Sequence, residues 1–214
     1  MTDAITVPDP SDRASALSRM LVLLVVWFFA ALWLGLRGAL GGSGGPPLGL
    51  GLALTLPLLV YVVDARFGHP LFGALAHLDL ASLAAWQTFR VGGVFFLVAW
   101  SAGSLPGAFA LPAALGDIAV GLTAPLVAAA VARRRPGHRA IALAWNLAGV
   151  ADLITAVTMG VTHSSSSFGV LAGAIRTDAL GRYPFSLIPS FLVPLALLLH
   201  VTSLRRLAAH HDPS

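Results

Sequence analysis

Three charged residues stand where the chain is otherwise strongly apolar: Arg90, Asp117 and Asp152, all within the stretch from Trp86 to Asp152. A charge at the centre of a bilayer-crossing helix costs about 2.5–3.5 kcal/mol on the insertion scale, so such side chains turn to one another or to a cavity and mark ion or substrate paths. An arginine offers a fixed fork of donors to carboxylates. One guanidinium balances one carboxylate, so the second aspartate must be protonated, solvated or paired with a ligand. Asn146 lies on the same stretch as Asp152. Trp86, four residues before Arg90, has the helical spacing to stack on the guanidinium, and Trp145 adds a second aromatic face. The expected ligand-binding set is therefore Arg90, Asp117, Asn146, Asp152, Trp86 and Trp145, with Asp117 and Asp152 as the candidate catalytic acids.

Small residues flank these positions: Gly92 and Gly93, Gly116 and Gly121, Gly149 and Ala151. Such residues let helix backbones approach closely in a membrane. The elements that position the charges are themselves legible. The chain has 214 residues, 57% hydrophobic and 10% charged, with mean hydropathy +0.85. A soluble domain carries about 25% charged residues. The apolar surface must then face lipid, where each helix needs roughly 20 apolar residues to cross.

Six spans are expected, at about Arg19–Leu36, Leu48–Val63, Leu83–Gly103, Ala113–Ala132, Ala140–Val161 and Pro184–Leu204. Residues 1–18 and 207–214 read as polar tails, the first disordered, with a single transmembrane domain between them. The run LFGALAHLDLASLAAW suggests a short interfacial helix leading into span 3. Pro57, Pro125, Pro189 and Pro194 predict kinks. The fold expected is an all-α, polytopic membrane bundle in the cell membrane.

All 13 basic residues other than histidine are arginine. With the amino terminus inside, the inner side holds Arg13, Arg19, Arg66, Arg133, Arg134, Arg135, Arg139, Arg205 and Arg206, and the outer side Arg37, Arg176 and Arg182. The excess predicts both termini in the cytoplasm. At about 1.5 Å per residue, Arg90 and Asn146 fall near the midplane, Asp152 roughly 12–14 Å and Asp117 roughly 6–10 Å below the outer boundary. That order predicts a cleft opening outward, with Arg90 at its floor and the carboxylates above.

Several chemistries are excluded or disfavoured. No lysine is available for a Schiff base, and no cysteine for a disulfide, a thiolate metal site or a thiol nucleophile. The high pI belongs to arginines beside apolar segments and not to a nucleic-acid surface. Ser164 to Ser167 lack a partnering motif for hydrolysis. His77, His163 and His200 read as interfacial residues, and His210 and His211 as a solvated tail. No metal and no cofactor are expected; the expected partners are the lipid bilayer and a small-molecule or lipid-like ligand. Three functions remain. One is a small carrier or permease, proton-coupled through Asp117 or Asp152, with Arg90 binding an anionic group. Another is a membrane enzyme acting on a lipid-like or isoprenoid substrate, with an aspartate general acid. The third is a structural or partner subunit whose charges are all mutually paired.

Overall fold

The computed structural model describes residues 10–42, 44–68 and 71–209. Among them the regular structure is entirely helical, and six helical stretches are long and apolar enough to cross a membrane. Helix α1 covers Pro10–Leu36 and α2 Leu48–Arg66. A five-residue helix α3, Gly73–His77, precedes span 3. Span 3 is composite: α4 (Leu80–Trp86), a 3-10 stretch (Gln87–Gly93) and α5 (Val94–Ser101). Spans 4 and 5 are α6 (Gly107–Ala132) and α7 (His138–Thr162). Span 6 begins with a π-helical turn, Ile188–Leu192, and continues as α8, Val193–Ala209.

Several boundaries differ from expectation. The first helix begins at Pro10, so residues 10–18 of the expected disordered tail are helical; residues 1–9 lie outside the described residues. Proline suits a first helical position, where its missing N–H has no intrahelical partner to lose. Span 4 starts at Gly107, six residues before Ala113. Span 6 runs to Ala209, into the expected polar tail, and His210 and His211 lie outside the described residues.

The two ends of the bundle are tied differently. At one end a long connector folds back over the helices. There Thr177 N–H donates to the His163 carbonyl (3.1 Å), Gly44 N–H to Ser165 (3.0 Å) and Tyr183 N–H to Gly35 (3.3 Å), while the Asp178 carboxylate accepts from Ser165 N–H (2.7 Å). At the opposite end buried Asp64 closes the turn after α2 by accepting from Leu71 and Phe72 N–H at 2.8 and 2.9 Å. There Asp79 caps α4 by accepting from Ser82 N–H (2.6 Å), which holds its carboxyl below the usual value of 3.8, with the nearby Arg206 charge acting in the same direction. Arg139 donates to the Leu207 carbonyl at 2.8 Å, covering the end of α8.

Prolines leave carbonyls free within the bundle, and a neighbour answers one of them. Pro194 has no N–H for the carbonyl four residues earlier, that of Ser190. The indole Nε1 of Trp27 on α1 donates to it at 3.0 Å. Span 6 is joined to α2 as well: Tyr61 meets the Thr202 hydroxyl at 3.0 Å, and that hydroxyl donates to the Leu198 carbonyl, so tyrosine is the donor of the pair.

Candidate functional site: a charge cluster at the middle of the bundle

The 3-10 stretch of span 3 sets the site. A 3-10 helix has three residues per turn, so every third side chain lies along one line. Gln87, Arg90 and Gly93 are its buried residues. The line continues into the flanking helices through Ala84 below and Phe96 and Ala99 above, all buried. Arg90 is thereby aimed into the seam between α6, α7 and α8 and is 3% exposed. Trp86, four residues away, is turned aside. Four residues span about 40° around an α-helix but about 120° around a 3-10 helix. Trp86 is 62% exposed and makes no stack on the guanidinium, contrary to expectation.

Arg90 engages both aspartates. Its Nε donates to Asp117 Oδ1 on α6 at 2.7 Å, and its Nη2 donates to Asp152 Oδ2 on α7. Nη1 lies 3.1 Å from Nε2 of His200 on α8 and donates more distantly, at 3.4 Å, to the Gly149 carbonyl. Guanidinium nitrogens only donate. His200 Nε2 must therefore accept, and the ring's proton sits on Nδ1, which donates to Asn146 Oδ1 at 2.8 Å. Asn146 Nδ2 in turn donates to the Ala142 carbonyl at 2.8 Å. The hydrogen bonds thus have one direction, from Arg90 through a neutral His200 to Asn146 and the α7 backbone. Trp145 packs on the His200 ring, centroids 5.4 Å apart, and its Nε1 donates to Thr123 on α6 at 2.9 Å.

Glycine makes these approaches possible. A methyl group on Gly116 would overlap the Asp152 carboxylate, and one on Gly149 would overlap the His200 ring. One on Gly93 would lie 2.5 Å from Asp117 Cβ, and one on Gly121 2.5 Å from the Val91 backbone nitrogen. All three side-chain partners of Arg90, Asp117, Asp152 and His200, therefore stand behind a glycine contact.

The expected vertical order does not hold. Asp117 is ten residues into the span that starts at Gly107, Asp152 ten residues before Thr162, Arg90 eleven before Ser101 and His200 twelve after Ile188. At about 1.5 Å per residue all four lie roughly 15–18 Å from the same end of the bundle. The carboxylates flank Arg90 at its own level. Asp117 is deeper than expected because its helix starts at Gly107. His200, expected at an interface, is wholly buried, because span 6 extends past Leu204 and leaves it central.

Arg90, Asp117 and Asp152 are thus brought into direct contact, Asn146 and Trp145 join through His200, and Trp86 stays outside. Arg90 is sealed, its side chain 1% exposed, whereas those of Asp117 and Asp152 are 15% and 18% exposed. A cavity of about 210 Å³ borders Arg90 and Asp117, walled by Gly92, Phe96, Ile188 and Val193 among others. Phe96, Ile188 and Val193 also line a second, mostly apolar cavity of about 120 Å³, which reaches the looped end at Gly41, Ser164 and Asp178. Gln87 is buried one 3-10 turn from Arg90; its Nε2 donates to the Ala196 carbonyl at 2.9 Å, and its Oε1 has no partner among the described residues. Among the described residues no group of three or more His, Asp or Glu is placed to hold a metal ion.

No curated protein and no solved structure matches the chain. A family model, described as a domain of unknown function (DUF8737), matches residues 47–208, which takes in spans 2 to 6 and every residue of the cluster. The chain therefore belongs to that family, DUF8737.

Proposed function

We propose that the protein is a small membrane carrier whose midplane cluster exchanges a proton, with Asp117 and Asp152 as the exchanging groups and Arg90 as their fixed counter-charge. The observation that carries this reading is the charge balance. One guanidinium serves two carboxylates, so the ionised triad has a net charge of −1 near the middle of an apolar bundle. A negative charge there is costly, and one proton neutralises it. The exposure pattern revises the role of Arg90. Its Nε and Nη2 are already committed to aspartates, so what the site offers an incoming species is carboxylate oxygen. That suits a proton or a cationic group better than the anionic group expected from sequence.

The two cavities that share Phe96, Ile188 and Val193 support access from the looped end. Arginine placement supports that end as the outer one, with both termini cytoplasmic. On the far side of Arg90, His200 and Asn146 are buried, and neither lines the clefts at that end, which reach inward to Leu143 and Leu204. An access path from one end favours a carrier over an enzyme that draws substrate sideways from lipid. The mutual pairing of the triad is equally what a purely structural staple needs, so the test must separate those two roles.

The test is charge displacement after a pH jump, on proteoliposomes adsorbed to a solid-supported membrane. Wild type is expected to give a transient current as a proton enters the cluster. Asp117→Asn and Asp152→Asn, each first shown to stay folded by its thermal transition, are expected to lose it. Equal transients from wild type and both variants, or none from any, would overturn the proposal and leave the staple.

A further inference from the structure

The inner cavity, about 210 Å³, lies against Asp117 and is otherwise apolar apart from Arg90. Span 3 gives it Phe89, Phe95 and Phe96. Span 6 gives it Ile188 and Leu192, the first and last residues of the π-helical turn. Such turns within helices recur at functional sites. Arg90 is committed to its own partners, with Nε and Nη2 on the aspartates and Nη1 against His200. Asp117 is not fully used. Its Oδ1 accepts from Arg90, but its Oδ2 accepts no hydrogen bond among the described residues. Each carboxylate oxygen has room for two donors.

We propose that this cavity binds a lipophilic ammonium ion: a protonated amine with its N–H groups on Asp117 and an apolar group about the size of a phenyl ring among Phe89, Phe95, Phe96 and Leu192. The assignment rests on the proton-exchange reading of the cluster and names what the proton is exchanged for. The ionised triad takes one positive charge, so ammonium and proton bind in turn. The wall itself selects the class. Asp117 supplies its only side-chain oxygen among the described residues. A bare metal cation needs several oxygens, roughly six to eight for calcium. An ammonium needs one charged acceptor and gains further from aromatic faces. A neutral molecule would leave the carboxylate's charge uncompensated. An apolar cavity of about 150 Å³ holds a benzene ring, so about 210 Å³ admits a ring and a short arm carrying the nitrogen. The adjoining cavity toward the looped end is lined by one charged residue, Asp178, and by no basic side chain among the described residues. A cation approaching that way meets no like charge in the wall before Arg90.

The experiment reads charge displacement in the same proteoliposomes after a jump in phenethylammonium at constant pH, beyond the response of protein-free liposomes. Wild type is expected to respond, with half-saturation about ten-fold or more below that of methylammonium, the usual gain from burying a ring-sized apolar group. 2-Phenylethanol, which keeps the ring and lacks the charge, is expected not to suppress the response. Preloading with phenethylammonium is expected to suppress the pH-jump transient. Asp117→Asn is expected to lose the amine response. A Cβ on Gly92 meets only the Phe95 ring, at 4.0 Å, so Gly92→Leu builds into the cavity. It is expected to bring phenethylammonium down to the level of methylammonium. Gly92→Ala, a smaller intrusion that tests the same wall if the leucine variant fails to fold, is expected to narrow the preference in the same direction. A pH-jump transient without an amine transient would overturn the ammonium assignment and leave the proton reading standing. An amine transient without a pH-jump transient would do the reverse, and the absence of both would sink the two together. Equal half-saturation for the two amines, suppression by 2-phenylethanol, a pH-jump transient unaffected by preloading, or an unchanged preference in the folded Gly92 variants would each overturn the assignment.

Discussion

Spans 1 and 2 are the most apolar of the bundle and the least buried within it. Their mean hydropathies are 2.2 and 1.9, and 17% of the most apolar 18 residues of each is buried. Spans 3 and 6 have mean hydropathies of only 1.3 and 1.5, yet 33% and 50% of the corresponding residues are buried. In water the order would be the reverse. In lipid an aliphatic side chain gains nothing from moving off the bilayer and onto a neighbouring helix, so association falls to close packing and hydrogen bonds. Polar and small residues then mark the inside. Span 3 contributes Gln87, Arg90 and Gly93 to the interior, and span 6 contributes Ser186, Ser190, His200, Thr202 and Ser203 from its helix and the turns leading to it.

That contrast predicts where the protein is fragile. The largest effect is expected at Arg90. Arg90→Met leaves two carboxylates and a histidine nitrogen without their donor and should cost about 3–5 kcal/mol in detergent unfolding, the usual result of removing one partner of a buried pair. Arg90→Lys should recover little of it, because a single ammonium cannot reproduce the two-pronged geometry. The same change at exposed Arg133 should stay within about 0.5 kcal/mol.

Glycines sharpen the contrast. Gly149→Ala and Gly116→Ala push a methyl into His200 and Asp152 and should destabilise by about 1–3 kcal/mol. Gly51 on α2 has open space around it, so Gly51→Ala should be neutral or stabilise by up to about 1 kcal/mol. Equal losses at Gly51 and Gly149 would break the distinction between the peripheral and interior spans. Trp27→Phe tests the bond between them: the Ser190 carbonyl, freed by Pro194, loses its indole donor, at a cost of about 1 kcal/mol.

The smallest effect is at the edge. Asp79→Ala should cost about 1 kcal/mol through loss of the α4 cap. Folding lowers the Asp79 carboxyl below 3.8, so its contribution is complete above that pH and fades as pH falls through the lower folded value. Urea titrations of wild type and Asp79→Ala should therefore differ at neutral pH and converge in acid below 3.8. A difference that persists unchanged in acid would refute the cap.

Much of this was legible in the residues. Hydropathy located six spans, and the cost of intramembrane charge selected Arg90, Asp117 and Asp152 before any geometry was known. What escaped followed from one assumption, that span 3 is a uniform α-helix, and from misplaced helix ends. The four-residue spacing from Trp86 to Arg90 implied a stack, but the helix tightens at Gln87 and separates them. A stripe with period three, Ala84, Gln87, Arg90, Gly93, Phe96 and Ala99, was present in the sequence as the sign of that tightening. Arg205 and Arg206 resemble the end of a span, which by sequence puts His200 near an interface. The helix continues past them, since the long stems of arginine let the charge reach water while the backbone stays regular.

The fixed direction of the hydrogen bonds behind Arg90 has a consequence for leakage. To hand on a proton, each member of a chain must accept one on one side and release one on the other. His200 can do so, but Asn146 carries an amide, which does not ionise in this range, and its Nδ2 ends on a backbone carbonyl. The chain is a dead end for charge. On the proposed reading, a proton taken up by the carboxylates would find no relay along this branch of described residues and would leave by the route it entered or wait for the helices themselves to shift. In electrical terms the back of the cluster is insulation, and histidine and asparagine, which look like conductors when read as residue types, are what provide it.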